Sequence, residues 1–171
     1  MAELDSLLKI MEKLRDPETG CPWDKTQTPE SISPYTLEEA YEVYDAVEKN
    51  DAEQLKEELG DLLLHIVFYA QMAKEKGLFD FQDVVDGINA KMIRRHPHIF
   101  GNESALPDWE KMKAQERREH HQDGVLSGIA DALPQTIRAY KLQSRAARVG
   151  FDWAAPLLIV DKIYEEVNEL K

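Results

Sequence analysis

The sequence predicts an all-α protein built around a four-helix bundle. Apolar residues recur at three- and four-residue steps along most of the 171-residue chain, and no stretch alternates with the period of a strand. Short loops between the first four predicted helices favour antiparallel neighbours. The first helix should end near Asp16-Pro17. Its apolar face comprises Leu4, Leu7, Leu8, Met11 and Leu14.

The second and third helices follow from their end signals. The second should cover about residues 34–49, after a short turn begun by Thr28-Pro29. Asp51, with Gln54 three residues later, resembles a capping box and starts a long third helix. This helix should end at Gly77, because glycine is favoured directly after a helix.

Four more helices are expected. Asp80 can cap the fourth, which ends before Pro97 because the residue preceding a proline disfavours the helical region. A strongly charged helix should follow over about residues 107–121. Further helices are predicted over about 134–149 and 156–171.

A short acidic repeat bears on domain organisation. The pattern Glu-Glu-x-x-Glu at 38–42 recurs at 165–169, which indicates one complete unit and the beginning of another. We therefore expect a first domain over residues 1–122, a helical connection over 123–154 and the incomplete start of a second repeat over 155–171.

Composition excludes several classes of protein. The chain has 33 acidic and 21 basic side chains, a net charge of −12, which argues against binding nucleic acid or an anionic membrane and suits the binding of cations. The single cysteine, Cys21, excludes an internal disulfide and a four-thiolate zinc site. The acidic N-terminus and the lack of an eighteen-residue apolar run predict a cytoplasmic protein.

Paired carboxylates on two consecutive helices are the most informative feature. Glu39 and Glu42 lie about 60° apart around the second helix and one turn apart along it, and Glu58 and Asp61 repeat this spacing on the third. Antiparallel helices could direct all four at one point, with Glu38 beside them. A hard divalent cation such as magnesium would remove their mutual repulsion.

The alternative is a solvated acidic face. The predicted apolar stripes comprise Leu37, Ala40, Tyr44 and Val47 on the second helix and Leu55, Leu59, Leu62 and Ile66 on the third. Glu38 and Glu42 point away from the first stripe, which favours the solvated reading. Glu58, Asp61 and His65 instead border the second stripe, which favours a site.

Cations gather at the end of the fourth helix. Lys91, Arg94 and Arg95 could either complement the helix macrodipole or contact phosphate oxygens, and the residues alone leave both readings open. Trp109 and Lys113 share a helical face, where the indole could stack on a nucleobase or simply pack.

Taken together, these motifs resemble a known family. Glu-Glu-x-x-Glu at 38–42 followed by Glu-x-x-Asp at 58–61 resembles the signature of MazG-type nucleoside triphosphate pyrophosphohydrolases. Residues 14–24, 94–98 and 146–153 also match this family, so the resemblance covers essentially the whole chain. The four acids alone would also fit all-α dUTPases and phosphoribosyl-ATP pyrophosphohydrolases, which are similar in fold and chemistry.

The resemblance implies hydrolysis of nucleoside triphosphates to the monophosphate and pyrophosphate by an intertwined all-α homodimer, with magnesium as cofactor and manganese as an alternative ion. The implied metal ligands are Glu39, Glu42, Glu58 and Asp61. The implied nucleotide contacts are Lys91, Arg94, Arg95, Trp109 and Lys113. Glu38 is our candidate for the carboxylate that orients or deprotonates the attacking water.

The chain departs from the family pattern in its second copy. Glu165, Glu166 and Glu169 are present, but no Glu-x-x-Asp partner follows before Lys171. One alternative is therefore a non-catalytic or weakly active domain for dimerisation or regulation, with the main active site in the missing second repeat. Another is a helical interaction scaffold whose acidic stripe is only solvated.

Overall fold

A computed structural model describes residues 2–101, 106–119, 124–155 and 157–170. Across these ranges the regular elements are helices and no strand occurs, which confirms the all-α prediction. The helices are α1 (Ala2–Leu14), α2 (Pro29–Lys49), α3 (Ala52–Glu75), α4 (Phe81–Arg95), α5 (Pro97–Phe100), α6 (Trp109–Glu119), α7 (Gln135–Ala147) and α8 (Leu157–Glu169), with a 3₁₀ turn at Asp24–Thr26.

The chain forms two units, Met1–Arg94 and Arg95–Lys171. In the first unit α3 is the central element and packs against α2 and α1. The buried core lies near the end of α3 and comprises Met11, Ile32, Val67, Phe68 and Met72, with Leu7, Leu8, Leu64, Tyr69 and Phe81 packed around it. Burial of these side chains supplies the main driving force for docking the helices.

Helix α2 begins earlier than the predicted start at Pro34. The Thr28 and Ser31 side chains each accept a hydrogen bond from the other's backbone N–H, so a full capping box starts the helix directly after Thr28. Pro34 then lies inside the helix and cannot donate to the carbonyl of Glu30. The Ser33 hydroxyl donates to that carbonyl instead, at 3.1 Å, so the proline is tolerated.

The other helix ends in this unit agree with the sequence. Asp51 accepts hydrogen bonds from the backbone N–H groups of Glu53 and Gln54 and caps α3. Gly77 has a φ of 65° directly after that helix, and Asp80 accepts from the N–H of Asp83 at the start of α4. The short connection between α2 and α3 makes these two helices antiparallel neighbours.

The second unit contains α5 to α8. Helices α6, α7 and α8 confirm the three predicted helices, with trimmed ends, although His120, His121 and Pro156 lie outside the described residues. Helix α5 was not predicted. The domain limits at 122 and 154 remain predictions. Among the residues that the structure describes, no helix is long and apolar enough to cross a membrane.

Candidate metal and nucleotide site

The inward face of α2 differs from its predicted apolar stripe. Leu37, Tyr44 and Val47 are 53%, 62% and 50% exposed. From Ile32 onward, the buried or half-buried residues of the helix, spaced at three and four, are Ile32, Thr36, Glu39, Val43 and Ala46. Hydrophobicity alone missed this face because two of its five positions are polar. Glu39 therefore lies on the side of α2 that turns toward the core.

Helix α3 presents polar groups to the same interface. Glu58 and His65 are half-buried there, and the Tyr69 hydroxyl is 2.8 Å from the Thr36 hydroxyl of α2. The Gln54 side-chain amide donates to a carboxylate oxygen of Glu58 at 3.4 Å. The interface between α2 and α3 is thus polar in this stretch, and some of its polar groups are paired with one another.

The antiparallel pairing brings carboxylates from both helices together. Glu39, Glu58 and Asp61 each offer an oxygen within 4.8 Å of the others. Burial raises the pKa of Glu39, and the negative charges of Glu42 and Asp61 raise it further, so the Glu42 carboxylate also lies close by. Glu38 lies exposed on the adjacent position of α2.

The donor set suits a hard divalent cation. All the clustered ligand atoms are carboxylate oxygens, which magnesium and manganese prefer over the nitrogen and sulfur ligands typical of zinc. The raised pKa of Glu39 reflects a repulsion that a cation would relieve. The residues therefore fit a metal site, with Glu39 and Glu58 half-buried and Asp61 exposed.

His65 lies one turn beyond Asp61 on α3. Its Nδ1 is buried and has no hydrogen-bond partner among the described residues. Burial lowers the pKa of His65, and the charge of Asp61 opposes that shift. The ring is thus a half-buried neighbour of the carboxylate cluster, as expected for a histidine at the edge of a core.

The predicted phosphate-binding cations have different surroundings. Lys91 and Arg94 are exposed near the end of α4. Arg95 is half-buried, and its Nε and Nη2 donate to the two carboxylate oxygens of Glu116 at 3.1 and 2.5 Å. Sequence reasoning did not single out Glu116.

The aromatic residue of α6 is also engaged. Trp109 is 37% exposed, and its ring meets that of His96 edge to face with centroids 5.1 Å apart. Lys113 is exposed on the same helix. At about 100° per residue, Trp109, Lys113 and Glu116 fall on one face of α6. That spacing is the signal that could have identified Glu116.

The chain is similar in sequence to known nucleotide pyrophosphohydrolases. The profile of the MazG nucleotide pyrophosphohydrolase domain matches residues 27–100, which hold all four clustered acids and the end of α4. A nucleoside triphosphate pyrophosphohydrolase of Escherichia coli K12 is 52% identical over 176 residues, covering 99% of this chain and 67% of that protein.

Two proteins of Thermotoga maritima are also similar. The nucleoside triphosphate pyrophosphohydrolase/pyrophosphatase MazG is 45% identical over 169 residues, covering 98% of this chain and 66% of that protein. The crystal structure of a MazG-related protein superposes with a TM-score of 0.52 at 30% identity, covering 68% of this chain and 98% of that one. The chain spans about two thirds of the length of the two curated relatives. By sequence and by fold, the chain belongs to the MazG nucleotide pyrophosphohydrolase family, a family of hydrolases.

Proposed function

We propose that this chain is a magnesium-dependent hydrolase that converts nucleoside triphosphates to the monophosphate and pyrophosphate. The convergence of Glu39, Glu58 and Asp61 within 4.8 Å carries this proposal. The names of the relatives from Escherichia coli and Thermotoga maritima support the reaction class. The alternative of a non-catalytic module is less favoured, because such a module has no need of converging carboxylates from two helices.

The proposed metal ligands are Glu39, Glu42, Glu58 and Asp61, with manganese as an alternative to magnesium. When bound, the ion would neutralise negative charge on the triphosphate and on the pyrophosphate leaving group. Glu39 and Glu58 are held between two packed helices, so their carboxylates are positioned before the ion arrives. Preorganisation of this kind reduces the cost of binding.

The remaining residues are assigned to substrate and water. Glu38, exposed beside the cluster, is the proposed carboxylate that orients or deprotonates the attacking water. The proposed phosphate contacts are Lys91, Arg94 and Arg95, because arginine and lysine donate charge-assisted hydrogen bonds to phosphate oxygens. Trp109 and Lys113 are proposed as further nucleotide contacts.

We also propose a homodimer. Apolar side chains on α2 and α3 that are 37% to 62% exposed include Tyr41, Tyr44, Leu59 and Leu63. Exposed apolar surface of this extent favours association with another protein surface. Two copies of this face would cover each other next to the acidic cluster, in keeping with the homodimer that the family resemblance implies.

The direct test is a screen of nucleoside triphosphates with magnesium that measures pyrophosphate release. We expect release by the wild-type chain and loss of at least about a hundredfold in Glu58→Gln, because a ligand charge is removed. Glu57→Gln is the matched control, since Glu57 is exposed on the neighbouring position of α3. Nucleotide binding without pyrophosphate release by the wild type would favour the non-catalytic alternative.

A further inference from the structure

An ion pair joins Arg95, the last residue of α4, to Glu116 of α6. Both side chains are largely enclosed, with 20% and 15% exposed, and two parallel hydrogen bonds join them. Surface ion pairs contribute little to stability when both partners are solvated. An enclosed pair with two-point geometry instead fixes the plane of the guanidinium group.

The geometry leaves Arg95 able to bind a second anion. A guanidinium carries five N–H donors, and the contacts with Glu116 occupy one on Nε and one on Nη2. Nη1 and the remaining Nη2 hydrogen are on the edge that Glu116 does not cover. A carboxylate on one edge therefore orients the other edge for a phosphate group.

The same helix is fixed at a second point. The rings of His96 and Trp109 are in contact at 5.1 Å, and Trp109 precedes Glu116 by about two helical turns on the same face of α6. Two consecutive residues, Arg95 and His96, thus anchor both ends of one face of α6. This face also carries Lys113.

We propose that Glu116 is a positioning residue for triphosphate binding, which it performs by holding Arg95 in the orientation that binds phosphate. This inference rests on the proposed function, and it assigns a role to a residue that the sequence motifs do not include. Glu116 touches neither substrate nor metal in this account. Its proposed contribution to binding is exerted through the Arg95 guanidinium.

A double-mutant cycle on affinity tests this proposal. Inorganic tripolyphosphate with magnesium is the probe, because it reports phosphate contacts without a base or a cleavage assay, and calorimetry measures its dissociation constant. We expect Arg95→Ala and Glu116→Ala each to weaken binding about tenfold. The double variant should bind no more weakly than Arg95→Ala, because the proposed effect of Glu116 on binding requires Arg95.

Glu119→Ala is the matched control. Glu119 is exposed on α6 and accepts a hydrogen bond from the side-chain amide of Gln115. Its removal changes the net charge equally and leaves the pair of Arg95 and Glu116 in place. Removing a negative charge by itself favours anion binding, so weakened binding in Glu116→Ala alone cannot come from net charge. Melting temperatures of all variants identify any loss of folding.

Four results would overturn the proposal: unchanged binding in Glu116→Ala, tighter binding because Glu116 competes with phosphate, independent effects in the double variant, or no wild-type binding of the probe. The pyrophosphate screen reports separately on the proposed reaction. A wild type that hydrolyses nucleotides while Glu116→Ala retains full affinity would refute only the positioning role. If the single and double variants bind as expected but the wild type releases no pyrophosphate, only the proposed reaction is refuted.

Discussion

The guanidinium of Arg15 and the carboxylate of Glu75 join the end of α1 to the end of α3. Nε and Nη2 of Arg15 donate to the two carboxylate oxygens at 2.8 and 2.6 Å, and the Arg15 side chain is 8% exposed. Nη1 donates to the backbone carbonyls of Asp24 and Gln27, and the group lies 5.3 Å from the ring centroid of Phe68. One side chain thus fastens the loop before α2 to the core.

We expect Arg15→Ala to lower the free energy of unfolding by about 3 kcal/mol, because it removes the hydrogen bonds from a largely buried guanidinium to Glu75 and to the carbonyls of Asp24 and Gln27. Denaturant unfolding measures this loss. Lys74→Ala is the control, since its ion pair with Glu12 is more than half exposed and should contribute less than about 1 kcal/mol. Equal effects of the two substitutions would contradict the fastening role of Arg15.

The same ion pair predicts a dependence of stability on pH. The hydrogen bonds from Arg15 hold the pKa of Glu75 below its ordinary value of 4.5. A carboxyl whose pKa is depressed by folding stabilises the folded state above its unfolded pKa, and this contribution is lost as the pH falls through the folded value. The difference in melting temperature between wild type and Glu75→Gln should therefore be full at pH 7 and vanish in acid. A difference that keeps its full pH 7 size as the pH falls below 4.5 and into strong acid would contradict this assignment.

Glu39→Gln should stabilise the metal-free chain while abolishing hydrolysis. Burial and the adjacent carboxylates raise the pKa of Glu39, so its ionised form opposes folding at neutral pH. In EDTA we expect a rise in melting temperature of about 1–3 °C. Glu38→Gln is the comparison, because Glu38 is exposed and should change the melting temperature little. A fall in Glu39→Gln would show that the cluster is not under electrostatic strain.

Tyr44→Glu should convert the proposed homodimer to a monomer. Tyr44 is 62% exposed on α2, so a charge there should leave the fold of one chain intact. In the proposed dimer the same charge would be buried in an apolar interface and would oppose association. Light scattering after size-exclusion chromatography measures the mass. Tyr140→Glu, at a 72% exposed position in the other unit, should leave it unchanged. A wild type that is monomeric at micromolar concentration would refute the dimer.

The sequence predicted most of the fold because capping signals are local. Asp51, Gly77 and Asp80 set helix ends with hydrogen bonds or φ angles that depend on few neighbours. The predicted start of α2 at Pro34 was wrong. Proline is usually excluded from the interior of a helix, but here the hydroxyl of Ser33 donates to the carbonyl that Pro34 leaves without a partner. That compensation depends on a side-chain rotamer, which periodicity does not encode.

The candidate site was less fully predictable. The spacing of the acids predicted that the two helices bring carboxylates together, and Glu39, Glu58 and Asp61 do converge. The apolar stripe assigned to α2 is instead exposed, since the inward row contains Thr36 and Glu39. Glu116 was missed because its partner, Arg95, is 21 residues away in the chain. Pairing over that distance depends on how α6 packs, so only the structure reveals it.

Melting curves with magnesium and with sodium chloride at matched ionic strength show whether a metal ion binds between α2 and α3. Magnesium binds only the folded arrangement, because the ligands of two helices are far apart in an unfolded chain. At a hundred times its dissociation constant, one ion would stabilise the fold by about 2.7 kcal/mol, which is several degrees for a chain of this size. We predict a magnesium-specific rise that is retained in Glu57→Gln and lost in Glu58→Gln. Coincident curves in the two salts would contradict a metal site between α2 and α3.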